Sequence, residues 1–406
     1  MRTYYDIVIV GGGLVGASLA RVLSNQALHI AVIEAVPLIS DSQPSYDDRS
    51  IALAYGARRI FESTGLWNDL TGSIMPIKRI HVSDLGCFGV TRLDAAREHV
   101  DALGYVVENR VMGKLFGTTL TTQKNIELRC PAKLTGLDFG PHAAGVTINE
   151  NDSEYKLTAK LVIGADGGNS LVRKLTGGRV RRWDYGQTAI IGNVTPGQPH
   201  NNIAYERFTD SGPLALLPMT ENRCSLVWTA RNADVDRIMA LDDKGFLDAL
   251  QQRFGYRLGI FRKVGKRHAY PLTLNRVDTH VLPRVALIGN AAHTLHPVAG
   301  QGFNLGLRDV AVLAETVVDA LRAGQDIGDL TVLNRYASWR RGDQRRVIAF
   351  TDGLVRVFSN PLLPVVCARN LGLLAVDILP SAKHLLTRQT MGLAGRQTRL
   401  ARGLPL

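Results

Sequence analysis

The most constraining feature of the chain is Gly11-Gly12-Gly13-Leu14-Val15-Gly16, set directly behind the β-branched run at residues 5–10. A short apolar run that ends in glycine has the form of a buried parallel strand. The small and apolar residues at 14–24 suit a helix packed closely on that strand, and residues 30–35 read as a second buried strand. Each glycine of this βαβ unit has a mechanical task. Gly11 permits the tight turn, Gly13 lets backbone approach a pyrophosphate, and Gly16 lets the helix lie against the sheet. Amides at the helix start turn the positive end of its dipole toward phosphates. Glu34, eighteen residues beyond Gly16, is placed to accept from a ribose 2′-hydroxyl, and its charge disfavours a 2′-phosphate. The unit predicts dinucleotide binding but does not separate NAD from FAD.

Two further apolar strands, at residues 160–165 and 284–289, also run into glycine-rich loops. The first continues as Asp166-Gly167-Gly168-Asn169-Ser170, with Arg173 three residues on; alone, this is compatible with a simple Asp-Gly turn. The second continues through Gly289-Asn290 to His296-Pro297-Val298-Ala299-Gly300-Gln301-Gly302-Phe303-Asn304 and on to Gly306 and Asp309. Pro297 stiffens the entry, and Gly300, Gly302 and Gly306 expose backbone N–H groups as a helix begins. Such a loop suits a phosphate or the reduced N1–C2=O edge of a flavin. Pro297 and the glycines disrupt any regular helical face carrying His293 and His296, and no Glu or Cys completes a ligand set, so no metal site is expected.

With 406 residues and 45% hydrophobic content, the chain suits two intimately packed domains. Stretches around 80–82, 189–194, 204–208, 214–218 and 224–229 alternate like sheet strands and predict a second, largely antiparallel domain inserted in the first. Helical periodicity covers 112–122, 244–254 and 309–323, and the chain beyond 330 reads as mostly helical. The expected division is a discontinuous nucleotide-binding domain (1–75, 95–177 and 276–330), a substrate domain (76–94 and 178–275) and a helical region (331–406).

The four cysteines lie far apart without a CxxC pair, which fits inert thiols in a reducing cytosol. Neither a secretory segment nor a membrane-spanning run is apparent. Of the net charge of +12, +9 falls beyond residue 330, where twelve Lys/Arg face three Asp. No nucleic-acid motif accompanies that charge. A solvated helical face, anionic lipid or an acidic protein partner would each account for it. The apolar stretch 353–380 is suited either to lining a tunnel or to serving as an ordinary helical cover.

Together the three glycine motifs resemble the class A FAD-dependent monooxygenases with the p-hydroxybenzoate-hydroxylase fold. Residues 296–309 match the HPxxGQGxNxGxxD pattern of the ubiquinone-biosynthesis hydroxylases at every fixed position. The similarity extends over nearly the whole chain, including Arg207-Phe208, Gly212-Pro213-Leu214-Ala215 and Leu217-Pro218-Met219. It is strongest toward the 2-octaprenyl-6-methoxyphenol hydroxylase branch, which tolerates Asn290 where most of the wider fold has Asp.

The resemblance implies an α/β protein, α+β overall: a Rossmann-like FAD-binding domain, an inserted antiparallel-sheet substrate domain and C-terminal helices. It implies FAD held by Gly11, Gly13, Gly16, Glu34, Arg49, Asp166, Gly167, Gly289, Asn290, Gly302 and Asn304. Pro297, Gly300, Gln301 and Gly302 would form the loop beside the isoalloxazine. The activity implied is ring hydroxylation of a polyprenylated phenol in ubiquinone biosynthesis through a flavin C4a-hydroperoxide. O2 would be the co-substrate and NAD(P)H, or a partner protein, the transient reductant. Accessory proteins of a biosynthetic complex and peripheral contact with the inner face of the membrane are the further partners. The same fold also admits a sister hydroxylase, a prenyl-lipid reductase or a flavin-binding scaffold. No general base is assigned; Tyr205, Arg207 and His268 are the polar candidates on the inserted strands.

Overall fold

Branched residues at alternate positions of the first strand, Tyr4–Val10, face opposite ways, and both faces are buried. Ile7 and Ile9 pack under the helices Leu14–Leu23 and Gln301–Arg322, while Tyr5, Val8 and Val10 meet a β-meander on the other side. In this computed structural model, residues 2–37, 49–296 and 298–406 are described. The first strand lies inside an eight-stranded sheet, paired in parallel with Ile30–Ile33 and Ser153–Gly164. Ile126–Arg129 and Val285–Leu287 extend the parallel set on either side. The meander is made by Ala132–Phe139 and Ala144–Glu150, which turn back onto Ser153–Gly164 in antiparallel fashion.

The alternating stretches of the sequence become strands of a nine-stranded sheet. Its central run is His268–Val277, Val180–Thr195, Cys224–Arg231, Gly212–Pro218 and Ile203–Thr209. Arg79–Asp84 and Val90–Asp94, from much earlier in the chain, complete one edge. Only the Ile203–Thr209 and Arg79–Asp84 pair runs parallel in this sheet. One face is buried by the helices Asn232–Met239 and Asp243–Phe254, whose Ile238, Phe246 and Leu250 pack on Leu214, Leu226 and Trp228. Ser50–Ala54, Gly104–Glu108 and Ile74–Ile77 form a separate three-stranded sheet, whose Ile77 and Val106 pack with Ala204 and Met219 of the second sheet and its flank.

The helix expected at 309–323 begins earlier, at Gln301. Gly302 and Gly306 are therefore inside it, and Gly300 alone stands before it, as an N-cap at φ +60°. Close approach explains Gly306: a Cβ there would lie 3.0 Å from Val15 and 3.3 Å from the Gly289 Cα. Beyond residue 330 the chain forms Leu330–Phe358, Leu363–Ile378 and Pro380–Thr390. The tunnel expectation for 353–380 needs correction in part. Leu354, Phe358 and Leu373 do line the large cavity, whereas Leu362, Leu363, Leu371 and Ile378 are exposed.

Candidate functional site

Parallel register brings the three glycine turns together. Val10 is aligned with Ile33 and Gly164, and Gly164 with Leu287, so the three strands end at one edge of the sheet. Carboxyl ends of parallel strands are where such sheets take ligands. Gly11 adopts φ +103°, and a Cβ on it would lie 2.5 Å from the Ala165 carbonyl oxygen. At Gly16 a Cβ would sit 1.9 Å from the Gly11 oxygen, so the helix packs on the turn itself. Gly13 caps that helix without a side-chain acceptor, leaving its first amides directed outward. Arg173 braces the arrangement by donating to the carbonyls of Gly168 and Ala291.

A cavity of about 1010 Å³ opens at this edge, at the top of the usual range for ligand sites. Gly11, Gly13, Glu34, Arg49, Asp166, Gly167, Asn290, Gly300, Gln301, Gly302 and Asn304 all border it. Gly16 and Gly289 lie behind that wall as packing glycines. Gly289 adopts φ +57°, with Val15 within 3.1 Å of its would-be Cβ. Pro297 lies outside the described residues.

The polar groups of the wall divide into those already bonded and those that are not. Both Glu34 carboxylate oxygens accept backbone N–H groups, from Gly12 at 2.7 Å and Val36 at 2.8 Å. These bonds fix the carboxylate while leaving lone pairs for a ribose hydroxyl. Arg49 is held over the Tyr270 ring at 4.9 Å. Asp166 uses Oδ2 to accept from the amides of Leu171 and Val172, but its buried Oδ1 has no partner. Ser50 Oγ and Thr294 Oγ1, on the same wall, are likewise buried and unpartnered. Such orphans are rare unless a ligand or water meets them. Open space above Gly167 and Gly302, with no atom within 4 Å of a Cβ on either, completes a cradle. The residues present therefore fit an extended dinucleotide such as FAD.

Asn304 has a different task. Its Oδ1 accepts from Ala54 N–H, and its Nδ2 donates to the carbonyls of Ala52 and Gly300, so it ties the glycine loop to the strand Ser50–Ala54. The turn at Gly289-Asn290 is held from beneath by buried Asp309, which accepts from Gly289 N–H, His293 Nε2, Arg340 Nε and Gln344 Nε2. Burial alone would raise the Asp309 carboxyl, but His293 and Arg340 outweigh it and hold it well below the usual carboxylate range. His296 is fully buried, edge-on to Tyr185, and burial pushes its ring down to about 4. Both histidines are thus packed into the frame behind the loop.

Away from the glycine turns the wall becomes apolar, built from Ile80, Val82, Phe208, Ala215, Leu217 and Val227 on the nine-stranded sheet. Phe208 stacks on Phe358 of the long helix, with centroids 3.7 Å apart. The polar candidates named from sequence do not direct their side chains into this part. The Tyr205 ring packs against Phe254 on the far face of the sheet, Arg207 shares that side of its strand, and His268 is exposed. Ser50, Thr294 and Glu206 are cavity residues that sequence reasoning passed over. For Glu206 the available signal was period-two alternation with Phe208.

The sequence profile of the FAD binding domain family matches residues 4–351. The chain belongs to that family. Among its relatives, ubiquinone hydroxylase UbiL of Rhodospirillum rubrum is 42% identical over 99% of this chain and 93% of that protein. The 3-demethoxyubiquinol 3-hydroxylase of Escherichia coli is 33% identical over 96% and 98%. Among solved structures, p-nitrophenol 4-monooxygenase PnpA from Pseudomonas putida superposes with a TM-score of 0.81 at 18% identity, covering 98% of this chain and all of that one. PqsL from Pseudomonas aeruginosa gives 0.77 at 22%, over 91% and 99%. Both share the fold, which is the expected FAD-binding body with an inserted second sheet.

Proposed function

We propose that this FAD-binding protein is a monooxygenase that hydroxylates the aromatic ring of a polyprenylated phenol in ubiquinone biosynthesis. The observation that supports this most directly is one continuous cavity, polar and glycine-lined at the sheet edge and apolar beyond it. The names of the UbiL and E. coli relatives give the substrate class. When bound, the reduced flavin activates O2 for transfer of one oxygen atom to an electron-rich ring. The net reaction consumes O2 and two electrons from NAD(P)H, replaces a ring C–H by C–OH and releases the other oxygen as water.

The chain's own residues bind, orient and shield. Gly11, Gly13 and Gly16 would shape the turn for the pyrophosphate, Glu34 would take the adenosine ribose, and Arg49, Asp166, Gly167 and Asn290 would take the pyrophosphate and ribityl groups. Gly300, Gln301 and Gly302, braced by Asn304, would supply the loop for the isoalloxazine. Residues 1–75, 95–177 and 276–330 form the FAD-binding part, and 76–94 with 178–275 the part that receives the ring. The apolar wall excludes water from the reacting centre, and the helices of 331–406 cover the prenyl tail.

Those helices also present an outward apolar face. Leu363, Leu371, Ile378 and Leu385 are each at least 60% exposed, with Arg356 and Arg388 exposed on the same helical region. Among the described residues no single helix is long and apolar enough to cross a membrane, although Leu363–Ile378 and Pro380–Thr390, bent by 97°, pass the length and composition test together. Peripheral docking on an anionic lipid surface fits this combination.

The activity is tested by incubating FAD-loaded protein with NAD(P)H, a prenylated methoxyphenol and 18O2, and weighing the product. One labelled oxygen per product molecule is expected. Bound FAD with reductant oxidation but no labelled phenol, across methoxyphenols of different tail length, would overturn the reading.

A further inference from the structure

One ionisable side chain occupies the apolar part of the cavity. Glu206 lies in the middle of the strand Ile203–Thr209, in register with Val82 on one side and Ala215 on the other. Alternation along the strand turns Ala204, Glu206 and Phe208 to the cavity. Across from them, Leu354, Phe358 and Leu373 close the space. The other carboxylates and cations bordering the cavity, Glu34, Arg49, Lys133 and Asp166, come from the sheet-edge loops and strands that border the glycine turns. Among the described residues the Glu206 carboxyl makes no hydrogen bond or ion pair; on the same face, Asp84 of the adjoining strand and Arg369 of the covering helix are paired with each other.

A charged side chain without a partner in such surroundings is costly, so a structural role gives no account of it. We infer that Glu206 is the catalytic residue that accepts the phenolic O–H of the substrate, which rests on the ring-hydroxylase reading above. A carboxylate hydrogen-bonded to that O–H, or taking its proton, pushes electron density into the ring and makes the ring carbon a better nucleophile toward oxygen. The proton balance closes within the site. The phenolic proton passes to the carboxylate as the ring C–O bond forms and the O–O bond breaks. The ring C–H proton goes to the departing oxygen, which leaves as water, and Glu206 returns its proton to the original oxygen as the ring becomes aromatic again.

Burial supports the assignment. Glu206 is half-buried on the cavity wall, and burial raises its carboxyl from 4.5 to about 7. A base is most effective when it titrates near the working pH. Hydroxylated product formed per NAD(P)H oxidised should therefore rise as pH increases through about 7. On the adjoining strand His81 is held down to about 4 by burial, and Asp84 is paired with Arg369.

The test compares FAD-loaded wild type, Glu206→Gln and Glu206→Asp with a prenylated methoxyphenol. Melting and bound flavin are checked for each. Glu206→Gln should lower labelled product per NAD(P)H by about a hundredfold and flatten the pH profile. Glu206→Asp should recover part of the coupling and keep an inflection. As a second readout, the phenolate-like absorption change on binding the phenol should appear with wild type and vanish in Glu206→Gln. Should the glutamine variant fail to fold, the aspartate variant must still move the pH inflection. Wild-type coupling, pH profile and binding spectrum in Glu206→Gln would overturn the inference and leave the ring-hydroxylase reading intact. Wild type yielding no labelled phenol would overturn both.

Discussion

Two buried carboxylates show how the same chemical group acquires opposite roles. Asp309 has four donors and is saturated; Glu206 has none. Replacing Asp309 by Ala leaves the Arg340 guanidinium, 2% exposed, with Asp343 as its remaining carboxylate, and the loss of one partner in such a buried cluster costs at most about 3–5 kcal/mol. Urea unfolding should register that loss together with weaker FAD retention, because the Gly289 amide loses its anchor. Glu206 has the reverse sign. Its folded value lies above the 4.5 of the free side chain, so below that pH the two states bind protons alike. Above it the unfolded chain ionises freely, and by pH values beyond 7 the fold carries a penalty of about 3 kcal/mol. Glu206→Gln should therefore be more stable than wild type at pH 8 and nearly equal to it at pH 4.5. An equal difference at both pH values would show that the carboxyl titrates normally. Glu206 was only half legible in the sequence: alternation groups it with Phe208, but which face of a strand meets a cavity depends on what packs on the other. Tyr205 and Arg207 attract notice as polar groups, but the helices Asn232–Met239 and Asp243–Phe254 claim their side of the sheet.

At the level of elements, glycine turns were the legible part. Strands at 5–10, 30–35, 160–165 and 284–289 and the turns behind them were readable because a buried parallel strand is a dense apolar run with an abrupt end. The onset of the helix at Gln301 was less so, since Gly300, Gly302 and Gly306 lower helix propensity and look like loop. Gly16 and Gly302 separate packing from binding. Gly16→Ala would put a methyl carbon 1.9 Å from the Gly11 oxygen; it should lower the melting temperature and abolish FAD retention. Gly302→Ala meets no atom within 4 Å and improves helix propensity by about 1 kcal/mol. Apoprotein stability should hold or rise while FAD affinity falls, as flavin titration against thermal melting would reveal. A drop in apoprotein stability would mean that Gly302 serves packing.

The whole molecule carries its cations and exposed leucines on the helical region that also closes the cavity. The basic tail was readable from composition; the exposure of Leu363, Leu371 and Leu385 on the same helical region was not, because helix periodicity alone does not tell a covered face from a bare one. Sedimentation with vesicles rich in anionic lipid should therefore retain the protein at low salt and release part of it as screening increases. The combined substitution Leu363→Asp, Leu371→Asp and Leu385→Asp should abolish retention without loss of bound flavin. Unchanged retention would argue that these residues meet another surface.

The order of strands also governs how the chain reaches this state during synthesis. The first strand made, Tyr4–Val10, ends up beside Ser153–Gly164, which in turn needs Val285–Leu287 as its outer neighbour. In the second sheet, Arg79–Asp84 waits for Ile203–Thr209, and Val180–Thr195 waits for His268–Val277. At about 5–20 residues per second, the last of these partners leaves the ribosome roughly 15–60 s after the first strand. Throughout that interval both sheets have an unfinished edge. Nascent chains halted before residue 285 should engage chaperones heavily, while the full chain, with Gln301–Arg322 laid over the first strand, should fold free of them.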